Sequence, residues 1–201
     1  MEVAIVKGSP ISKYGARLNH IALDYMAQIL TGSKDPKVIG RTLEELWKQK
    51  ANRFSHEFAY EAQLGKETVG LITCYPVSVM NRLAWPTFVK LLMFRKWDIV
   101  KYSTRHLREF LSMITLHEGR EGEYHIGSLA AFPESRGYGI GTKLITFAEE
   151  QAKQKDYRWT SLTVRKENVK ALKLYERLGY IIADSIDKKP YSLYRMVKKI
   201  Y

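Results

Sequence analysis

Leu129-Ala130-Ala131-Phe132-Pro133-Glu134-Ser135-Arg136-Gly137-Tyr138-Gly139-Ile140-Gly141-Thr142 is the stretch on which the reading of this chain turns. An apolar run ends at Pro133, a loop with glycines at 137, 139 and 141 follows, and the helix-forming segment Lys143–Lys155 comes after it. Strand, glycine-rich turn and helix together build an anion site. Glycine lets a backbone approach a ligand closely and take φ > 0. The N–H groups of a helix's first turn have no partner inside the helix and can point at a phosphate.

Two nucleotide motifs are excluded by spacing. The dinucleotide fingerprint needs Gly-x-Gly-x-x-Gly, and the third glycine here falls one position early. The Walker A loop needs Lys before its Ser/Thr, and Gly141-Thr142 lacks it. What remains is an Arg/Gln-x-x-Gly-x-Gly/Ala pattern, Arg136-Gly137-Tyr138-Gly139-Ile140-Gly141, after a strand and a proline. Downstream stand Leu162-x-Val164 and then Asn168-x-x-Ala171-x-x-Leu174-Tyr175-x-x-x-Gly179-Tyr180. In this order and at this distance the two segments resemble the acetyl-CoA-binding motifs of the GNAT superfamily of N-acyltransferases. The resemblance covers about residues 124–183.

The 201 residues suffice for one well-filled domain, residues 1–201. Apolar residues make up 45% and charged residues 27%, an ordinary globular balance. A single cysteine, Cys74, precludes an internal disulfide and points to a reducing compartment. It lies in the apolar run Val69–Val77, where a buried thiol is inert. There is no signal-like N-terminal segment and no run of about 18 apolar residues, so a cytoplasmic protein without a membrane partner is expected. Net charge is +12, of which residues 123–201 carry half, with 15 Lys/Arg against 9 Asp/Glu. A polyanionic ligand, a nucleic-acid surface or a plain solvated face all accommodate that excess.

Along the chain, Val3–Lys7 reads as a first strand. Tyr14–Leu30 is an amphipathic helix stopped at Gly32, and a second helix lies within Val38–Lys50, with a possible capping box at Thr42-x-x-Glu45. Phe58–Gln63 and Thr68–Tyr75 form a hairpin. Val79–Phe94, broken at Pro86, and Tyr102–His117 read as two or three helices of an insertion spanning 77–119, a wall for the acceptor or added core. Tyr124–Phe132 is the strand that feeds the loop, and Arg158–Val164 is the next strand. Asn168 precedes a helix over Val169–Leu178, and Tyr180–Ala183 with Tyr191–Val197 closes the chain as a hairpin.

The resemblance implies an α/β (α+β) fold of GNAT type. That fold is a central mixed, mostly antiparallel twisted sheet flanked by helices, here with a helical insertion between the third and fourth strands. It implies an acetyl-CoA-dependent N-acetyltransferase acting on a primary amine of a small molecule or peptide by direct attack in a ternary complex. The backbone of Leu129, Ala130 and Ala131 would hold the thioester and pantetheine. Arg136, Gly137, Tyr138, Gly139, Ile140, Gly141 and Thr142 would hold the pyrophosphate. Asn168 would touch coenzyme A, while local physics reads it as a helix N-cap. Tyr175 matches the tyrosine that protonates the departing thiolate, and otherwise reads as a packed aromatic.

One departure stands out. Where many members of the family carry an acidic residue on this strand, the chain has Gly127. Glu123 and His125 share its strand parity and are the remaining base candidates through water, each also readable as an ordinary turn or strand residue. No histidine or cysteine spacing indicates a metal. The missing carboxylate keeps open a non-catalytic acyl-CoA sensor, and the charge keeps open a basic nucleic-acid-binding protein, although no nucleic-acid motif stands out. Acetyl-CoA and an amine are the expected partners, to a monomer or homodimer.

Overall fold

A computed structural model of the chain describes residues 2–135 and 137–201. Arg136, assigned above to the pyrophosphate loop, lies outside the described residues. Among these residues the strands are β1 (Val3–Lys7), β2 (Ala59–Leu64), β3 (Glu67–Pro76), β4 (Glu123–Ala131), β5 (Trp159–Arg165), β6 (Ile181–Lys188) and β7 (Tyr191–Lys199). The helices are α1 (Gly15–Leu23), α2 (Met26–Thr31), α3 (Pro36–Lys48), α4 (Val77–Arg95), α5 (Trp97–Arg105), α6 (Leu107–Ile114), α7 (Ile140–Lys153) and α8 (Val169–Arg177).

The strands form one sheet in the order β1-β2-β3-β4-β5-β7-β6. β4 and β5 run parallel, and every other pair is antiparallel. The sheet is mixed and mostly antiparallel, with helices on both faces, as the resemblance implied. Alternation along the strands sets the two faces. Ile72, Tyr124 and Ile126 pack with Leu144, Ile145 and Ala148 of α7. Leu71 and Ala130 pack with Leu18 of α1 and Trp47 of α3.

Three boundaries differ from the periodicity. The helix expected over Tyr14–Leu30 is broken at Asp24, whose φ of 51° interrupts the ladder between α1 and α2. The second helix starts before the capping box. Asp35 caps it through Lys37 N (2.9 Å) with Pro36 in the first turn, and Thr42 Oγ1 instead donates to Val38 O inside the helix. α7 starts at Ile140, within the glycine run, rather than at Lys143.

The insertion between β3 and β4 consists of α4, α5 and α6. α4 runs unbroken through Pro86 and turns into α5 at Lys96, near the expected joint. No helix is long and apolar enough to cross a membrane among the described residues. Cys74 is buried, and burial pushes its thiol up to about 11, which makes it inert as expected.

Candidate active site

The feature that opens the sheet is a β-bulge at Gly127. Thr73 pairs with Ser128 and Cys74 with Ile126, so Gly127 has no partner in β3. On the other edge, the parallel ladder to β5 runs from Glu123↔Trp159 to Ile126↔Leu162 and stops there. Beyond the bulge, β4 stays paired to β3 through Ala131↔Gly70, while β5 stays paired to β7 through Arg165↔Leu193. The sheet therefore divides into two halves, and the β5-facing backbone groups of Ser128–Ala131 have no ladder partner in β5. A bulge that bends a strand and terminates pairing is a common neighbour of active sites.

Into this gap opens a cavity of about 650 Å³. Its floor includes Gly127, Ser128 and Leu129 of β4, Leu162, Thr163 and Val164 of β5, and Asn168 and Tyr175 of α8. The α1–α2 corner forms one wall with Leu23, Met26 and Leu30. The insertion forms the other with Met80, Ala84, Phe88 and Leu91 of α4 and Phe110 and Met113 of α6. The insertion is thus cavity wall, and α4 also adds core through Leu91.

Beside the gap stands the glycine loop. Gly137 and Gly139 take φ of 89° and 71°, and no heavy atom would lie within 4 Å of an added Cβ at either, so glycine is there for conformation and open approach. Gly139 is the N-cap of α7 and supplies no side-chain cap, and the first turn holds no acidic residue. The N–H donors of that turn are left for an incoming acceptor such as a phosphate. Gly141 has a different reason. A Cβ there would lie 3.0 Å from Leu174 Cδ2, so it lets α7 approach α8. Tyr138 is exposed, Ile140 buried and Thr142 half-buried at this end. These features fit a bound coenzyme A.

Tyr175 is buried, lines the cavity, and packs edge-on against Tyr180 at 6.1 Å between ring centroids. Burial pushes its phenol up to about 12, so it holds its proton at neutral pH. Asn168 Oδ1 accepts from Ala171 N at 3.2 Å, which establishes the N-cap reading, and the residue also faces the cavity.

The two base candidates sit differently. Glu123 forms a buried ion pair with Arg195 of β7 and accepts from Arg120 N at 2.9 Å. It does not line the cavity. His125 is fully buried, with Nδ1 3.1 Å from Ser161 Oγ and Nε2 facing Glu118 Oε2 at 4.0 Å. Burial pulls it down to about 4, so it is neutral at pH 7.

The empty position at Gly127 has a physical cause. A Cβ there would lie 2.3 Å from the Tyr75 hydroxyl and 2.9 Å from its Cζ. Tyr75 is buried beside Arg53, and Arg53 Nη2 donates to Glu118 Oε1 at 2.6 Å. Burial alone would raise the Glu118 carboxyl, but Arg53 and then His125 outweigh it and hold it below the usual carboxylate value. Tyr75, Arg53 and Glu118 all line the cavity, and the sequence reading missed all three. The one available signal was a glycine inside a strand, which marks a bulge or a close approach. Among the described residues no cluster of three or more His, Cys, Asp or Glu could hold a metal.

Residues 23–180 match the acetyltransferase (GNAT) family, and the chain belongs to that family. It is 35% identical over 114 residues to the catalytic subunit NAA10 of the N-terminal acetyltransferase A complex of Arabidopsis thaliana, covering 55% of this chain and 54% of that protein. The chain thus spans about half the length of that curated relative. An N-acetyltransferase of Staphylococcus aureus Mu50 superposes with a TM-score of 0.72 at 20% identity, covering 97% of this chain and 100% of that one. Arabidopsis thaliana Naa50, solved in complex with the bisubstrate analogue CoA-Ac-MVNAL, gives 0.55 at 17% identity, with 99% of each chain covered. These structural likenesses are likenesses of fold.

Proposed function

We propose that this chain transfers an acetyl group from acetyl-CoA to a primary amine by direct attack in a ternary complex. The observation that carries the reading is the gap between β4 and β5, opened at the Gly127 bulge, flanked by the uncapped first turn of α7 and lined by Tyr175. The relatives named above support the amine class. One is a subunit of an N-terminal acetyltransferase, and another is solved with a peptide-bearing analogue.

In this reading the amides of Gly137–Thr142 hold the pyrophosphate. The unpaired edge of Leu129, Ala130 and Ala131 holds the pantetheine and the thioester carbonyl, and Asn168 touches the cosubstrate beside its capping bond. The neutral amine attacks the thioester carbon, and negative charge develops on the carbonyl oxygen near the free backbone donors of β4. As the intermediate collapses, the C–S bond breaks and the sulfur takes the Tyr175 proton. A phenol that stays protonated through the physiological range is suited to that transfer. The sensor alternative drew its support from the missing side chain at 127. With Tyr75 occupying that space and Glu118 nearby, Gly127 has a packing reason and the alternative loses its ground.

Two measurements test the reading. Acetyl-CoA should raise the melting temperature in a concentration-dependent way. A panel of primary amines should release free thiol from acetyl-CoA. Binding without thiol release from any amine would refute the transferase reading.

A further inference from the structure

We propose that Glu118 is the anchor and proton acceptor for the amine, and that the amine is carried on an apolar body. The proposal rests on the transferase reading above and names its acceptor side.

The cavity's charge is unlike the chain's. The whole chain carries +12, yet the charged residues lining the cavity are Asp24, Glu118 and Glu167 with Arg53 and Arg165, and no lysine. Asp24 and Glu167 are both committed to Arg165 and are largely exposed. That leaves Glu118, whose side chain is 15% exposed and set into the wall. Its Oε1 accepts from Arg53, and an ionised carboxylate has further acceptor positions on both oxygens. On its far side His125 Nε2 is buried without a hydrogen-bond partner, 4.0 Å from Oε2. Glu118 lies five residues upstream of β4, so it brings to this end of the cavity a carboxylate that the strand, closed by Tyr75 at Gly127, has no room for.

Around this group the walls are apolar. Leu30, Phe54, Met80, Phe88, Phe110 and Met113 offer no partner for a second charge on the acceptor. Burying an unpaired charge against such a surface is costly, so polyamines and acidic amines are disfavoured and monoamines with apolar side chains are favoured. An ammonium docks against Glu118 and loses one proton to solvent, and the neutral amine attacks. As the C–N bond forms, one N–H proton passes to Glu118, while the thiolate takes its proton from Tyr175. Solvent then carries a proton from Glu118 to the Tyr175 phenolate, and the sum is amine plus thioester giving amide plus thiol.

The test uses the full chain with leucinamide, phenylalaninamide, glutamic acid and spermidine as acceptors. The two apolar amides should show kcat/KM at least about tenfold above the other two. Glu118→Gln should lower kcat/KM for leucinamide by about 100-fold or more, with the acetyl-CoA affinity measured by calorimetry unchanged. Wild-type affinity for leucinamide should weaken as pH rises through the amine's own pKa, and this dependence should vanish in Glu118→Gln. Glu118→Asp should recover part of the rate. If Glu118→Gln fails to fold, Arg53→Met/Glu118→Gln removes both buried charges together and should give the same loss of amine turnover with acetyl-CoA bound normally. Wild-type turnover with unchanged kcat and KM in Glu118→Gln would overturn the anchor, and faster turnover of spermidine or glutamic acid would overturn the apolar acceptor. No turnover by wild type with any amine would overturn the transferase reading and this proposal with it.

Discussion

Replacing Gly127 with alanine adds one methyl group, and the site has no room for it. The new Cβ would stand 2.3 Å from the Tyr75 hydroxyl and 2.9 Å from Cζ, where ordinary contact is 3.4–4 Å. Gly127 is not among the positive-φ glycines, so the backbone itself tolerates alanine and the cost is contact alone. The obstructing atoms belong to a buried ring packed edge-on against Phe58 (5.6 Å, 78°), so the ring must shift by about 1 Å or more and disturb Arg53 and Glu118 with it. Overpacking of this kind costs about 1–3 kcal/mol. At about 2 kcal/mol a domain of this size loses about 4–8 °C in melting temperature. Thermal melts of four proteins decide the matter: wild type, Gly127→Ala, Tyr75→Leu and the double variant. Tyr75→Leu removes both obstructing atoms, so adding Gly127→Ala in that background should cost almost nothing, a coupling of about 2 kcal/mol. If Gly127→Ala is neutral, or costs the same in both backgrounds, Tyr75 is not what keeps position 127 empty.

Further predictions follow from single groups. Tyr175→Phe should lower kcat by about 100-fold with acetyl-CoA affinity unchanged, and an unaltered rate at every pH would remove Tyr175 as proton donor. Gly139→Ala, forced to hold φ near 71° with no contact to blame, should cost about 1 kcal/mol and shrink the melting-temperature gain from acetyl-CoA, read by titrated thermal melts. His125 has a folded pKa of about 4 against an ordinary 6.5, so its stabilising contribution is present above pH 6.5 and is lost as pH falls towards 4, by about 3 kcal/mol at most. Denaturant melts of wild type and His125→Asn across that window should diverge, and parallel curves would refute the assignment.

The glycine loop was readable because its function is local. Positive φ at Gly137 and Gly139 and an uncapped helix start are properties of consecutive residues, and the residue types declare them. The order of strands and helices was readable for the same reason. The amine side was not, because its groups meet only through the fold. Arg53 and Glu118 are 65 residues apart, and Glu123 and Arg195 are 72 apart, so neither pairing leaves a mark on its own segment. Glu123, read as a base candidate or a solvated turn residue, is instead held by a strand at the far end of the chain. The break at Asp24 has no glycine or proline to announce it. Its side chain is paired with Arg165, so the corner meets β5 and narrows the cavity there. The glycine inside β4 was visible, but its partner Tyr75 was not.

A strongly basic chain proposed to bind both a polyanion and an ammonium must keep the two apart. The donor end meets the requirement without a buried cation among the described residues. Its positive potential comes from helix N–H groups, which act at hydrogen-bond range and fade within a turn. The acceptor end meets it by neutralisation, since each guanidinium lining the cavity is matched by at least one carboxylate. A lysine in place of Leu91, Phe110 or Met113 would upset that balance by placing an unpaired cation where the amine must enter. The absence of lysine from a 650 Å³ cavity, in a chain with 33 Lys and Arg, is what a site for a cationic acceptor requires.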